Sequence, residues 1–336
     1  MGSGAVITGS IFLSRNDHNP ATGYFATVGP DGIFHEHVLE GSRCCMLVSA
    51  DGTWVQMEAK APDGRATTAL MHLDGSGYVE LPLSDPTLNL GPGVWSPDGA
   101  QIAFEGYDEK QPERNGIYVG PAGAGVRTRI TSAPGSLHDF PIAFSPDGSR
   151  ILFERTCCSE KLGDLYVAKS DGSDLRRLSL EANTIWSDYW TGAPATWSPD
   201  GKQVAFAAFT TAGGGAGQSA IFVADVATFV AKRITDVANW TLTADWSPDG
   251  RRIVFNKQTA PGVGSIYVVH PDGTGLALIE ESVLGACCAT WSPDGTELLY
   301  AQGGDSRNLY VARADGSGSR PITTSAAEWS WYSWGP

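Results

Sequence analysis

Apolar and polar residues alternate along most of this chain in short runs. Typical runs are QIAFEG (101–106), RILFER (150–155), QVAFAA (203–208) and RIVFNK (252–257). They are rich in β-branched and aromatic residues, and alternation at period two is typical of β-strands. No window shows the i, i+3, i+4, i+7 spacing of an amphipathic helix. The pattern therefore predicts an all-β protein.

Each of these runs follows the same five-residue turn. The turn is FSPDG at 144–148, and it is WSPDG at 95–99, 197–201, 246–250 and 291–295. The Pro presets φ at one turn position, and the Gly is free to adopt φ > 0. We therefore interpret SPDG as a structural turn and the aromatic residue before it as an apolar plug between repeating units.

The turns recur at even intervals. The aromatic residues of successive motifs lie 49, 53, 49 and 45 residues apart. A degenerate copy, LVSADG, places Val48 in the same slot, and a truncated copy at the other end, YSWGP, places Trp334 there. Seven slots at such intervals indicate a repeat architecture.

Every repeat contains four short strands. After the alternating run come a variable segment, a second run such as GIYVG or DLYVA, a turn such as DGSG, and a short closing strand. Four strands per unit are typical of a propeller blade. We therefore predict a seven-bladed β-propeller that forms a single domain over 1–336. We expect its first blade to be shared by about 5–39 and 328–336, so that the terminal strands close the ring.

Charge and hydropathy exclude some partners. The formal net charge is −14, whereas binding to nucleic acid or anionic lipid depends on clusters of Lys and Arg. No apolar run reaches the length of a membrane span. We expect a monomer that binds a small-molecule, sugar or protein ligand. The first ten residues, MGSGAVITGS, lack the features of a signal peptide, and the compartment stays open.

The variable segments are expected to gather on one face of a propeller, around the central channel. We call it the variable-loop face, and the opposite side, with the SPDG and DGSG turns, the constant-turn face. Variable loops on a rigid scaffold are the usual place for binding. The segments are 16–23, 108–115, 132–140, 156–163, 181–192, 210–218, 236–243 and 325–333.

Aromatic and acidic residues are frequent in the segments between blades. They can line a bowl that stacks on sugar rings, on aromatic groups or on a cation. The alternative is that they pack between blades or cover the ring closure. The candidate ligand-binding residues are Trp186, Asp188, Tyr189, Trp190, Trp240, Glu328, Trp329 and Trp331.

All six cysteines occur as adjacent pairs, at 44–45, 157–158 and 287–288. Two of the pairs occupy the start of an innermost strand, where neighbouring side chains are expected to point to opposite faces. A disulfide within such a pair would therefore be strained. Three interpretations stay open: packing thiols, disulfides between pairs, or a soft-metal site that includes Cys45 and Cys288. A metal ion in the channel is one alternative, and no cofactor is identified.

Three titratable residues are candidates for acid–base chemistry or for ion binding. His138 and Asp139 form the best acid–base pair, and we expect both in a loop of the variable-loop face. If His138 lies in a loop, His138→Ala should leave stability nearly unchanged. Asp245 stands on an inner strand where other repeats have Val, Ala or Thr. We expect it to point into the channel and to bind a cation or an ordered water.

The repeats resemble the PD40, or TolB-like, family of WD40-like β-propellers, which is marked by W-S-P-D-G between the two inner strands. This resemblance covers essentially the whole chain. It implies a propeller that binds ligands or proteins, in the periplasm or secreted. The alternative is a stand-alone enzyme, a lyase, hydrolase or cyclase, at the channel mouth. The family's oligogalacturonate lyases need clustered metal-binding histidines, and the dispersed histidines of this chain depart from that pattern.

Overall fold

The structure is a computed structural model, and within its described residues the chain is almost entirely β-strand. The single helical element in this part of the chain is a 3-10 turn at Pro112–Arg114. None of the helices in the described residues is long and apolar enough to cross a membrane. The all-β prediction is confirmed. The described residues are 11–15, 22–29, 34–40, 47–49, 51–72, 76–81, 87–123, 125–156, 163–178, 184–185, 195–210, 218–239, 241–260, 262–284, 287–303, 308–323 and 329–334.

The described strands form seven antiparallel sheets, each of which we call a blade. In chain order, blade 1 begins with β1 (Ile11–Arg15), β2 (Thr22–Val28) and β3 (Phe34–Glu40); blade 2 has β4 (Leu47–Val48), β5 (Trp54–Lys60), β6 (Ala66–His72) and β7 (Val79–Glu80); blade 3 has β8 (Asn89–Trp95), β9 (Gln101–Tyr107), β10 (Gly116–Pro121) and β11 (Thr128–Arg129); blade 4 has β12 (His138–Phe144), β13 (Arg150–Thr156), β14 (Asp164–Lys169) and β15 (Arg176–Arg177).

Blade 5 differs from the others because both of its edge strands are split. Two short strands pair with β18 and two pair with β19, so that each edge is made in two pieces. Blade 5 has β16 (Thr184–Ile185), β17 (Thr196–Trp197), β18 (Gln203–Thr210), β19 (Gln218–Asp225), β20 (Val230–Arg233) and β21 (Ala238–Asn239); blade 6 has β22 (Thr241–Trp246), β23 (Ile253–Ala260), β24 (Val263–Val269) and β25 (Ala277–Leu284); blade 7 has β26 (Cys287–Trp291), β27 (Glu297–Gln302), β28 (Asn308–Arg313) and β29 (Arg320–Pro321); the last strand is β30 (Trp329–Trp334).

The two ends of the chain meet in blade 1. Strand β30 pairs antiparallel with β1, with Ile11 opposite Trp334 at one end of the ladder and Arg15 opposite Trp329 at the other. The order of this sheet is therefore β3-β2-β1-β30. This confirms that strands from both termini share one blade and remove an open sheet edge.

The core lies between the blades. Apolar side chains of one sheet pack against those of the next, as in other face-to-face sheet packings. Such clusters join blades 2 to 3, 3 to 4, 4 to 5, 5 to 6 and 6 to 7. Another cluster, which includes Ile11, Val28, Leu299 and Leu309, joins blade 7 back to blade 1. The alternating runs therefore bury both of their faces.

In blades 4 to 7 the second and third strands share an aromatic pair. Facing rings lie directly opposite each other in the antiparallel ladder, and their centroids are 5.5–6.0 Å apart in a stacked arrangement. Aromatic cross-strand pairs stabilise a sheet beyond the area that they bury. The stacked pairs are Phe153–Tyr166, Phe206–Phe222, Phe255–Tyr267 and Tyr300–Tyr310.

The SPDG turn is held by its own side chains. In blade 4 the hydroxyl of Ser145 donates to Oδ1 of Asp147 at 2.6 Å and accepts the backbone N–H of Arg150 at 2.9 Å. Gly148 completes the turn with φ at 70° and donates its N–H to the Ser145 carbonyl. The same hydroxyl contacts recur at Ser49, Ser96, Ser198, Ser247 and Ser292. The turn therefore uses its polar groups internally, which supports a structural role.

The motif tryptophans connect successive blades. Trp197 is buried, and its indole N–H donates to the carbonyl of Ala143 in the preceding blade at 3.4 Å. Trp291 is also buried, and its indole N–H donates to the backbone carbonyl of Asp245 in the preceding blade at 3.2 Å. These contacts are the plug between blades that the sequence predicts.

The turn hydrogen bonds make stability depend on acid pH. Bonds from Ser145 and Ser149 lower the pKa of Asp147 to about 2. An unfolded Asp titrates near 3.9. The stabilisation from Asp147 should therefore be complete above pH ~4 and should disappear as the pH falls through about 2. Thermal melts across this window should show a falling melting temperature that is shallower in Asp147→Asn. The exposed Asp236→Asn should keep the wild-type slope, and an equal change in both variants would contradict this origin.

Candidate functional site

The first strands of four blades are irregular at the same level. The register with the second strand shifts within β8, β12, β22 and β26, between the variable-loop end and the motif aromatic. Two residues inside these bulges have left-handed backbone: Thr243 with φ at 52° and Cys288 with φ at 62°. Bulges are frequent next to functional sites, and left-handed non-glycine residues often accompany them. This region of the inner wall is therefore the candidate site.

A histidine–carboxylate pair lies in this region, between blades 3 and 4. Nδ1 of His138, at the start of β12, lies 2.6 Å from Oε1 of Glu105 on β9. The Glu105 side chain is 7% exposed and the imidazole 16%. Burial raises the pKa of Glu105, while the contact with His138 opposes that shift. When Glu105 is ionised it accepts the Nδ1–H, which fixes the imidazole orientation as a general base or metal ligand requires.

The packing around this pair leaves room for the carboxylate. Any Cβ at Gly91, in the bulge of β8, would collide with the Glu105 carboxylate. The rings of His138 and Phe140 are stacked, with centroids 5.8 Å apart. The centroid of the Tyr107 ring also lies 5.8 Å from that of His138. The His138 imidazole therefore lies close to two aromatic rings and to the buried carboxyl group of Glu105.

Asp139 has a different environment from its neighbour. It is 0% exposed, accepts two hydrogen bonds from Arg155 at 2.6 and 2.8 Å, and accepts the Thr131 hydroxyl at 2.6 Å. A buried carboxylate needs such partners, because an unpaired charge would be costly to bury. The Asp139 carboxylate therefore stabilises blade 4 through Arg155 and Thr131, and its hydrogen bonds are not made to His138.

These positions correct two sequence expectations. His138 and Asp139 do not lie in a loop, because β12 already begins at His138 and both pair with β13. Adjacent strand residues point to opposite faces, so the acid that meets His138 comes from another blade. Sequence reasoning missed Glu105. Its signal was a carboxylate within the alternating run QIAFEG.

Asp245 links blades 6 and 7. Its Oδ2 accepts the Thr290 hydroxyl at 2.7 Å and the Trp291 N–H at 2.9 Å. Burial raises the pKa of this carboxyl, although both hydrogen bonds favour the ionised form. One carboxylate oxygen of Asp245 thus accepts two hydrogen bonds that join the inner strands of blades 6 and 7. Binding of a cation or water by Asp245 stays a prediction.

The pair Cys287–Cys288 departs from the expected alternation. The two sulfur atoms lie 2.8 Å apart, on the same side of the strand. The physical reason is the bulge between Cys287 and Thr290, together with the left-handed backbone at Cys288, which turns the second side chain back toward the first. Within the described residues, no group of three or more His, Cys, Asp or Glu side chains is placed to hold a metal ion.

Most of the predicted aromatic bowl lies outside the described residues. Trp329 and Trp331 lie in β30, but their side chains are outside the described residues. Their ligand-binding roles stay predictions, as does the metal role of Cys45 and Cys288. Also outside the described residues are Cys45, Trp186, Asp188, Tyr189, Trp190, Trp240 and Glu328.

A series of antiparallel sheets, most of them four-stranded, in which strands from both ends of the chain share one sheet, is typical of a β-propeller. The chain belongs to the PD40 family of TolB β-propeller domains, whose family model matches residues 53–336. The Tol-Pal system protein TolB of Anaeromyxobacter dehalogenans is 30% identical over 128 residues, which are 38% of this chain and 27% of that protein. The matched part of the chain therefore spans only about a quarter of this curated relative.

Solved structures share the fold at lower identity. TolB from Acinetobacter baumannii is 19% identical, with a TM-score of 0.51 over 88% of this chain and 74% of that one. An oligogalacturonate lyase from Vibrio parahaemolyticus is 14% identical, with a TM-score of 0.62 over 90% of this chain and 91% of that one. At these identities the likeness concerns the fold alone.

The Glu105–His138 contact changes the expected effect of a mutation. We expect His138→Ala to lower the free energy of unfolding by about 1–3 kcal/mol, because it leaves a buried carboxylate without its partner. Urea denaturation measures this loss. The matched control is His270→Ala, at an exposed histidine beside a constant turn, which should change stability by less than about 0.5 kcal/mol. Equal effects of the two substitutions would show that the contact contributes nothing.

Proposed function

We propose that this chain is a binding propeller that takes its ligand on the variable-loop face, around the channel. The observation that carries the proposal is the contrast between the two ends of the inner strands. The SPDG turns repeat one set of internal hydrogen bonds in blade after blade. Toward the other end, bulges, left-handed residues and the Glu105–His138 pair differ from blade to blade. Diversity on a uniform scaffold favours recognition there.

A protein ligand is the form of this proposal that we favour. The curated relatives are named as proteins of the Tol-Pal system, so a place in a protein assembly suits the family. The aromatic residues predicted for the variable-loop face suit such a role, since Trp and Tyr are enriched where protein partners bind most strongly. The net charge of −14 favours a partner surface that is neutral or basic.

Peptide selection followed by paired tryptophan and tyrosine variants tests the binding face. Peptides from a random library would be selected on the immobilised chain, and their affinities measured by calorimetry. We expect Trp240→Ala to weaken binding at least about tenfold, which corresponds to about 1.4 kcal/mol. Tyr78→Ala is the matched control, because Tyr78 is 53% exposed beside the DGSG turn of the constant-turn face. Peptides that lose affinity only in Tyr78→Ala would place the binding face on the wrong side.

A second candidate function is acid–base catalysis at the Glu105–His138 pair. The short contact between a part-exposed imidazole and a buried carboxylate favours it. In this arrangement Glu105 orients the ring and stabilises the imidazolium that forms when His138 takes a proton.

A panel of chromogenic esters, glycosides and phosphates tests for this activity. If the pair is catalytic, turnover of a substrate should fall by about 10²–10⁴ in His138→Asn and in Glu105→Gln. His270→Asn should retain full activity. Turnover that survives both substitutions in the pair would exclude a catalytic role for it.

A further inference from the structure

The sulfur atoms of Cys287 and Cys288 are brought together by the backbone of β26. Side chains of neighbouring residues in a regular strand point apart. Here the register shift after Cys287 and the φ of 62° at Cys288 place the two sulfurs 2.8 Å from each other. A left-handed non-glycine residue is uncommon and persists only where the surroundings enforce it. The pairing of the thiols is thus a product of the fold.

The dithiol is open to reagents in solution. Both cysteines are partly exposed, at the first two positions of the innermost strand of blade 7. Two residues further on, Thr290 begins the link to Asp245 of blade 6. A change of bond at the two sulfurs would therefore act on the bulge next to a contact between blades.

We propose that Cys287 and Cys288 form a vicinal dithiol that is a site of reversible oxidation by small-molecule disulfides. A thiolate of the pair attacks a disulfide such as oxidised glutathione, forming a mixed disulfide and releasing one thiol. The second cysteine then attacks the mixed disulfide, closes the bond between Cys287 and Cys288, and releases the second thiol. The pair loses two hydrogens and two electrons, and the reagent disulfide is reduced to two thiols.

The closed form is expected to be readily reduced. Cα atoms of adjacent trans residues are about 3.8 Å apart, below the usual 4.4–6.8 Å of a disulfide. Such strain makes a disulfide more oxidising and therefore labile. The site is suited to exchange with the thiol pool and not to permanent cross-linking. This role goes beyond the proposed ligand binding and does not depend on it.

Tryptic peptide mapping tests the proposal directly, because each cysteine pair falls in its own peptide. The peptides are 44–60, 156–161 and 258–307. The folded protein would be treated with oxidised glutathione, alkylated without reduction, digested and weighed by mass spectrometry. We expect peptide 258–307 to appear without a cross-link to another peptide. Its mass should be two hydrogens below that of the reduced form, and it should carry no alkyl groups. Dithiothreitol before alkylation should restore two alkylation sites.

Single variants separate ring closure from simple thiol exchange. In Cys287→Ser the serine at 287 cannot displace glutathione from a mixed disulfide on Cys288, so we expect a lasting glutathione adduct there. A variant with serine at 44, 45, 157 and 158 should still lose two hydrogens in its intact mass. If that variant does not fold, the wild-type peptide map alone decides.

Three results would overturn the proposal. One is a wild-type peptide 258–307 that still takes two alkyl groups after oxidation. Another is a glutathione adduct that persists on the wild-type peptide, because the second sulfur then fails to close the ring. The third is a cross-link from 258–307 to 44–60 or 156–161, which would mean that the pairs bridge to one another. None of these readouts requires a ligand, so failure here leaves the binding proposal untouched.

Discussion

The antiparallel pairing of β1 with β30 is the constraint on which the rest of the structure depends. Blades 3 to 7 each bury two faces against their neighbours, and only a closed series gives every blade two neighbours. The ladder from Ile11–Trp334 to Arg15–Trp329 supplies that closure, and the cluster of Ile11, Val28 and Leu309 packs behind it. Without the pairing, β1 would expose an open edge next to the apolar cluster that joins blades 7 and 1.

The two ends of each inner strand have different structural roles. The SPDG end is self-contained, because a serine hydroxyl and an aspartate carboxylate satisfy the backbone of their own turn. The other end is irregular, and its polar side chains reach across to the next blade or the next strand. A rigid, repeated turn at one end leaves the opposite end open to variation in loop length and side-chain chemistry.

Buried polar contacts make the junctions between blades specific. Glu105 meets His138 between blades 3 and 4, and Asp245 meets Thr290 between blades 6 and 7. Apolar packing alone tolerates small shifts between sheets, whereas a buried carboxylate is satisfied only when its partner stands at hydrogen-bond distance. The inner wall therefore combines contacts that fix how neighbouring blades pack with side chains that can take part in binding or chemistry.

The sequence by itself determined the repeat, the four strands of each unit, the structural nature of SPDG and the sharing of one blade by the two termini. All of these follow from local periodicity and turn chemistry, which are visible in short stretches of chain. Only the tertiary structure decided that His138 meets Glu105 and not Asp139, and that the Cys287 and Cys288 sulfurs face each other. The first contact joins residues of different blades, and the second results from a bulge and a left-handed φ. Neither contacts between blades nor the placement of a bulge can be read from alternation, because both depend on how one sheet packs against the next.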